Sequence, residues 1–177
     1  MEMGLAIAAF AAAIGVGLIL LQAGLSKLRH RHLLPGVVAN YRLLPSALVA
    51  PAATILPLAE IAIGATLIAG FTTVPVVLAM LLLALFAGAM AINIARGRDH
   101  IDCGCGRSDL RHPIGWPLVA RNLLLIALVA LRLGPALPFS ALDIGTAAVG
   151  GLALFLAYHL LGHILALIAA PAAAYRR

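Results

Sequence analysis

Long apolar runs separated by short polar segments dominate this sequence. Each run is close to the roughly 20 residues with which a helix crosses a bilayer, and the runs lack the period-two alternation of transmembrane strands. The pattern therefore predicts an all-α fold, a polytopic transmembrane helical bundle with four core helices plus a fifth C-terminal helix. We expect a single integral membrane domain over residues 1–177. Its predicted spans are residues 4–25, 46–68, 74–94, 116–131 and 142–170.

The segments between the runs indicate how the helices are connected. Basic residues follow the first run rather than precede it, which argues against a signal peptide and favours a retained span. Residues 69–73 leave room for a tight helical hairpin, whereas residues 95–115 form a longer loop that contains both cysteines. Ala84 and Gly88 stand four residues apart in the third span, so we expect them to let two helices approach closely.

Composition excludes several classes of protein. Of the 177 residues, 64% are hydrophobic and 10% are charged, whereas soluble domains average about 45–50% apolar and about 25% charged residues. A soluble core of this size has no means of hiding so much apolar surface. We therefore exclude a soluble enzyme, a secreted disulfide scaffold and a disordered protein.

Positive charge is concentrated in three segments, and the formal net charge is +6. Ten of the twelve basic residues follow the first span, follow the third span or end the chain: Lys27, Arg29, Arg31, Arg42, Arg96, Arg98, Arg107, Arg111, Arg176 and Arg177. Few aromatic residues are interleaved with them, which argues against nucleic acid as a partner. The positive-inside rule predicts a multi-pass protein of the bacterial inner membrane, in contact with lipid, whose basic loops face the cytoplasm.

Cys103 and Cys105 are the two cysteines of the chain and form a Cys-Gly-Cys pair in the loop of residues 95–115. A disulfide across one intervening residue has poor geometry, and strain makes it easier to reduce. Neighbouring cations, Arg98 and Arg107 among them, favour the thiolate form, whereas Asp102 opposes it. We therefore predict that the pair is catalytic in thiol–disulfide exchange, which would make the chain a membrane thiol–disulfide oxidoreductase.

Two other interpretations of the cysteine pair stay open. Two thiolates supply half of a tetrahedral metal site, and His100 and His112 stand at spacings that match no familiar zinc motif. We therefore predict no metal site, although a soft metal bound by the dithiol alone remains an alternative. The third interpretation is a pair of thiols without a chemical role.

Glu60 lies within the second span, where an ionised side chain is costly unless it is paired. Its candidate partners are Arg121 and Asn122 in the fourth span, or Lys27 at the end of the first. Together these four residues predict an intramembrane polar pocket, either a proton or quinone site or a structural pair between helices. In the fifth span, His159 and His163 share one helical face, a spacing that would also permit ligation of a metal or haem.

Several short motifs are shared with one family of membrane proteins. They are Gly24-Leu25-Ser26-Lys27-Leu28-Arg29-His30, Tyr41-Arg42-Leu43-Leu44-Pro45, Glu60-Ile61-Ala62-Ile63-Gly64, Ala95-Arg96-Gly97, Ile101-Asp102-Cys103-Gly104-Cys105-Gly106, Trp116 and Arg121-Asn122-Leu123. With these motifs the chain resembles the MauE family of methylamine utilisation proteins and, more loosely, the DoxX-like membrane proteins. The resemblance extends over about residues 15–133, so the fifth span lies outside it.

The resemblance implies a role in maturing the disulfide-rich small (β) subunit of methylamine dehydrogenase, or a similar exported client. It also implies a thioredoxin-like periplasmic partner, MauD, and maps the family's cysteine motif onto Cys103 and Cys105. Because the chain has one cysteine pair, the partner must bring the second dithiol, with a quinone as the possible electron acceptor. The alternative function is a membrane carrier or chaperone whose dithiol binds a soft metal or a client segment. The charge rule places this pair in the cytoplasm, whereas oxidative maturation takes place in the periplasm.

Overall fold

The computed structural model describes residues 2–70, 73–98, 101, 114–134 and 138–174, with side chains up to residue 164. Every regular element in these ranges is helical, which confirms the predicted fold class. The elements are α1 (Glu2–Arg29), α2 (Leu34–Asn40), α3 (Ser46–Ile68), α4 (Thr73–Ala95), α5 (Trp116–Ala130), a 3₁₀ turn (Leu131–Leu133) and α6 (Ala141–Ala174).

Five helical segments are long and apolar enough to cross a membrane, as the sequence predicts. They are Glu2–Arg29, Ser46–Ile68, Thr73–Ala95, Trp116–Leu133 and Ala141–Ile164. One further helix, α2, was not predicted from the sequence. It spans only 7 residues and lies in the polar segment between the first and second predicted spans. Pro35 in its first turn is the sequence signal that could have revealed it, because proline is favoured at a helix start, where it leaves no N–H unpaired.

Helix α1 is the centre of the bundle and packs against α3, α5 and α6. It runs antiparallel to α3, because Gly24 lies against Pro57 and Gly17 lies against Gly64. It runs parallel to α6, because Phe10 stacks on Phe139 just before α6 begins and Gly15 lies against Leu154 further along both helices. The ends of α1 and α4 and the starts of α3 and α5 therefore share one end of the bundle, which we call the loop end.

Close packing of α1 on α3 depends on glycine. A Cβ atom built on Gly64 would stand 2.6 Å from the carbonyl oxygen of Gly17, and one on Gly17 would stand 2.8 Å from that of Gly64. Backbone atoms have no side chain to move aside, so both positions require a residue without Cβ. The predicted close approach at Ala84 and Gly88 is wrong, because a Cβ on Gly88 meets nothing within 4 Å and Ala84 is exposed.

The end of the bundle opposite the loop end is held by aromatic and polar contacts. The Arg132 guanidinium lies over Phe10 and Phe139, with Cζ 5.1 and 5.5 Å from the two ring centroids. Ser140 and Asp143 form a reciprocal cap on α6, in which the Ser140 amide donates to Oδ2 of Asp143 and the Asp143 amide donates to Oγ of Ser140. These contacts fix the start of α6 against α1.

Candidate functional site

The predicted catalytic residues Cys103 and Cys105 lie outside the described residues, as do Asp102 and Arg107. The structure describes the residues on either side of them, Ile101 and Ile114. The Ile114 amide donates to the Ile101 carbonyl at 3.0 Å, and both side chains are buried. They pack into a cluster with Ala87, Met90 and Val119 of α4 and α5. Ile101 and Ile114, which flank residues 102–113, thus lie side by side at the loop end.

The way in which α4 ends fixes the positions of Gly97 and Arg98, which precede residues 102–113 in the chain. The Gly97 amide donates to the Ile94 carbonyl and the Arg98 amide donates to the Asn93 carbonyl, both at 2.9 Å. This is the Schellman arrangement, in which the residue after the helix takes a left-handed conformation. Gly97 has φ +69°, which glycine adopts without steric cost. The motif ends α4 abruptly and turns Arg98 back over the helix end.

Arg98 joins α4 to the end of α2. Its Nη2 donates to the Asn40 carbonyl at 2.6 Å, and its Nη1 donates to Oδ1 of Asn93 at 3.0 Å and to the Tyr41 carbonyl at 3.4 Å. The last carbonyls of a helix lack intrahelical donors, so the guanidinium satisfies groups that α2 leaves open. Tyr41 packs beside the cluster that contains Ile101 and Ile114. Arg98 thus binds these carbonyls, and its predicted effect on the thiolates concerns cysteines that lie outside the described residues.

Lys27 and Glu60 meet inside the bundle. The Lys27 Nζ lies 2.5 Å from Oε1 of Glu60, and the two side chains are 9% and 1% exposed. The ammonium also lies 5.1 Å from the centroid of the Phe86 ring on α4. Of the partners that the sequence offers Glu60, the structure therefore selects Lys27. Phe86 is a residue that the sequence analysis missed, since a lone phenylalanine in an apolar helix carries no signal of a cation.

The other two members of the predicted pocket have different surroundings. The Arg121 guanidinium lies over Tyr158 of α6, with Cζ 5.2 Å from the ring centroid. Asn122 is 5% exposed, and its buried Nδ2 has no hydrogen-bond partner among the described residues. The structure therefore places Arg121 at the contact between α5 and α6 and Asn122 in the bundle interior.

His159 is held among aromatic rings. Its imidazole makes edge contacts with Phe155 and Tyr158, at centroid distances of 4.6 and 5.2 Å. His163 lies one turn further along α6 and is exposed. Within the part of the chain that the structure describes, no three His, Cys, Asp or Glu side chains are grouped as metal ligands. The interpretation of the two histidines as a metal or haem site gains no support from these contacts.

Comparison with known proteins identifies relatives that cover most of the chain. The family model described as methylamine utilisation protein MauE matches residues 5–135. A curated methylamine utilization protein MauE from Paracoccus denitrificans is 42% identical over 149 residues, which cover 82% of this chain and 80% of the relative. The protein of the same name from Methylorubrum extorquens is 43% identical over 140 residues, which cover 75% of each chain. No solved structure matches the chain significantly.

Proposed function

Because this chain belongs to the MauE family, we propose that it acts in methylamine utilisation as a multi-pass protein of the bacterial inner membrane. Its proposed task is to support maturation of the disulfide-rich small (β) subunit of methylamine dehydrogenase, or of a similar exported client. The family match supports the pathway. The matched stretch, residues 5–135, also contains both cysteines. Five helices of membrane-spanning length support the location.

The proposed chemistry is thiol–disulfide exchange between Cys103–Cys105 and a thioredoxin-like, MauD-like partner. A client dithiol reduces the disulfide of the partner, and the partner dithiol then reduces the Cys103–Cys105 disulfide. Direct exchange with a periplasmic partner requires the cysteines to face the periplasm, against the charge count; if they face the cytoplasm, the electrons must cross the membrane to reach them. Each exchange proceeds by thiolate attack through a mixed disulfide and transfers two electrons and two protons. The observation that carries this proposal is the contact between Ile114 and Ile101, 3.0 Å apart from amide nitrogen to carbonyl oxygen. This contact holds the two ends of the stretch that contains both cysteines together at the loop end.

Turnover requires an acceptor for the two electrons and two protons, and we propose a membrane quinone. Lys27 and Glu60 are bound to each other, so we assign the pair no part in holding the acceptor. Asn122 fits that role better, because its buried Nδ2 lacks a hydrogen-bond acceptor among the described residues. An amide N–H of this kind would orient a quinone carbonyl.

Serine substitution of the cysteines tests the exchange reaction. Cys103→Ser and Cys105→Ser should each abolish client maturation, and the double variant should be no worse, because the two thiols act as one unit. One single variant should accumulate a mixed disulfide with its partner, visible on a non-reducing gel and removed by reductant. Full client maturation in either single variant would refute the redox role. Stoichiometric soft-metal binding that protects both thiols would instead support the carrier or chaperone function.

A further inference from the structure

Arg121 and His159 each bring an unsatisfied buried nitrogen to the same tyrosine. Nε of Arg121 and Nε2 of His159 are buried and have no hydrogen-bond partner among the described residues. The guanidinium lies over the Tyr158 ring at 5.2 Å and the imidazole meets the ring edge-on at 5.2 Å. Nε of Arg121 always carries a hydrogen, and an unpaired buried donor is costly, so this arrangement favours a ligand that supplies acceptor oxygens.

The surface around these two residues is partly apolar. Helices α5 and α6 both pack on α1, and we call the boundary between them, where Arg121 of α5 meets Tyr158 of α6, the groove. Leu124 and Leu156, three residues further from the loop end than Arg121 and His159, are 60% and 57% exposed. The groove is therefore polar near the loop end and apolar further from it, which suits an amphiphilic ligand.

The depth of the two side chains matches the boundary of the hydrocarbon layer. His159 follows the start of α6 by 18 residues, or about 27 Å at the usual helical rise. The hydrocarbon core of a bilayer is about 30 Å thick, so His159 lies near its edge at the loop end. Arg121 lies about 8 Å along α5 from Trp116, the first residue of the helix, at that same end. Lipid headgroups are therefore the nearest source of acceptor oxygens.

We propose that Arg121 and His159 bind the phosphate of an anionic phospholipid in the groove between α5 and α6. The guanidinium presents a planar fork that matches two phosphate oxygens, and the imidazole donates a third hydrogen bond from Nε2 when that nitrogen is protonated. Charge favours an anionic lipid over a zwitterionic one, because basic residues dominate the loop end. Basic pockets between transmembrane helices are typical sites of this kind. The proposal does not depend on the thiol chemistry.

Native mass spectrometry of the detergent-purified full chain tests the site. Titration with phosphatidylglycerol should give saturable adducts, and phosphatidylcholine should bind at least tenfold more weakly. Arg121→Gln should weaken phosphatidylglycerol binding at least tenfold, and Arg121→Lys several-fold, because lysine keeps the charge and loses the fork. His159→Phe keeps an aromatic ring among its neighbours and should weaken binding several-fold.

Arg96→Gln is the matched control, because it removes one positive charge from an exposed residue at the same end of the bundle. It should leave phosphatidylglycerol binding unchanged, and size-exclusion chromatography should show that every variant remains folded. Equal binding of the two phospholipids, or equal losses in the Arg96 and Arg121 variants, would overturn the proposal. Displacement of the lipid by equimolar quinone, or by inorganic phosphate, would assign the groove to those ligands and overturn it as well.

Discussion

The Lys27 ammonium and the Glu60 carboxylate are joined across α1 and α3 at 2.5 Å, with both side chains at least nine-tenths buried. Gly24 lies one turn from Lys27, and a Cβ there would stand 3.1 Å from Cβ of Glu60. The close backbone packing and the ion pair therefore occur at the same level of α1 and α3. A pair of this kind sets the register of α1 against α3, because any slip would leave two charges in an apolar interior.

Removal of one partner should therefore cost more than removal of both. Lys27→Ala or Glu60→Ala should each lower the free energy of unfolding by about 3–5 kcal/mol, since each leaves an uncompensated buried charge. Lys27→Met combined with Glu60→Leu should recover most of that loss. Thermal unfolding in detergent, followed by tryptophan fluorescence or light scattering, measures the three variants.

The function of the double variant separates structure from chemistry at this pair. If the pair is structural, Lys27→Met with Glu60→Leu should still support client maturation. Glu60→Gln should keep the fold, and loss of maturation in this variant and in the double variant would show that the carboxylate handles protons or an acceptor. Single alanine variants that unfold like the parent chain would contradict the structural role.

Glycine at position 64 should be required for stability, and glycine at position 88 should not. A Cβ on Gly64 would stand 2.6 Å from a backbone oxygen and 2.9 Å from a backbone nitrogen of α1. Gly64→Ala should therefore destabilise the fold by about 1–3 kcal/mol through overpacking. Gly88→Ala meets nothing within 4 Å and should be neutral or stabilising by up to about 1 kcal/mol. Unfolding of the two variants side by side decides this, and equal effects would contradict the observed α1–α3 contact.

Arg98 should anchor the cysteine-bearing segment rather than activate its thiols. Its guanidinium binds the Asn40 and Tyr41 carbonyls and the Asn93 side chain. Arg98→Ala, and equally Arg98→Lys, should speed tryptic cleavage after Arg107 several-fold. The pH midpoint of cysteine alkylation should stay where it is in the parent chain.

Arg96→Ala is the control for the Arg98 experiment, because this neighbouring arginine is exposed at the same helix end. It should change neither cleavage nor alkylation. If Arg98→Ala instead raises the alkylation midpoint while Arg98→Lys and the cleavage rate stay normal, the role predicted from sequence, a cation beside the thiolate, is correct.

The five spanning helices could be predicted because each is a long apolar run, and hydropathy alone sets their number. Which side chains pair with one another inside the bundle could be established only from the structure. The sequence offers Glu60 three polar partners, and the antiparallel register of α1 and α3 selects Lys27. The close glycine contacts were assigned to the wrong helix, since a small residue has the same appearance in sequence whether it faces a neighbour or lipid. The cation–aromatic contacts of Arg121 and Lys27 were also missed, because they join residues far apart in the chain.

Orientation in the membrane is the prediction that decides in which compartment the thiols react. Charge counting places ten basic residues on the side of the loop end, and the structure groups the described ones among them at that end of the bundle. Reporters fused after Arg42, after Arg111 and at Arg177 should therefore report the cytoplasm, and one at Thr72 the periplasm. A membrane-impermeant thiol reagent should leave Cys103 and Cys105 unlabelled in intact cells and label both after lysis. A reporter after Arg111 that is active in the periplasm alone would overturn the charge argument, and it would place the dithiol where an exported client is oxidised.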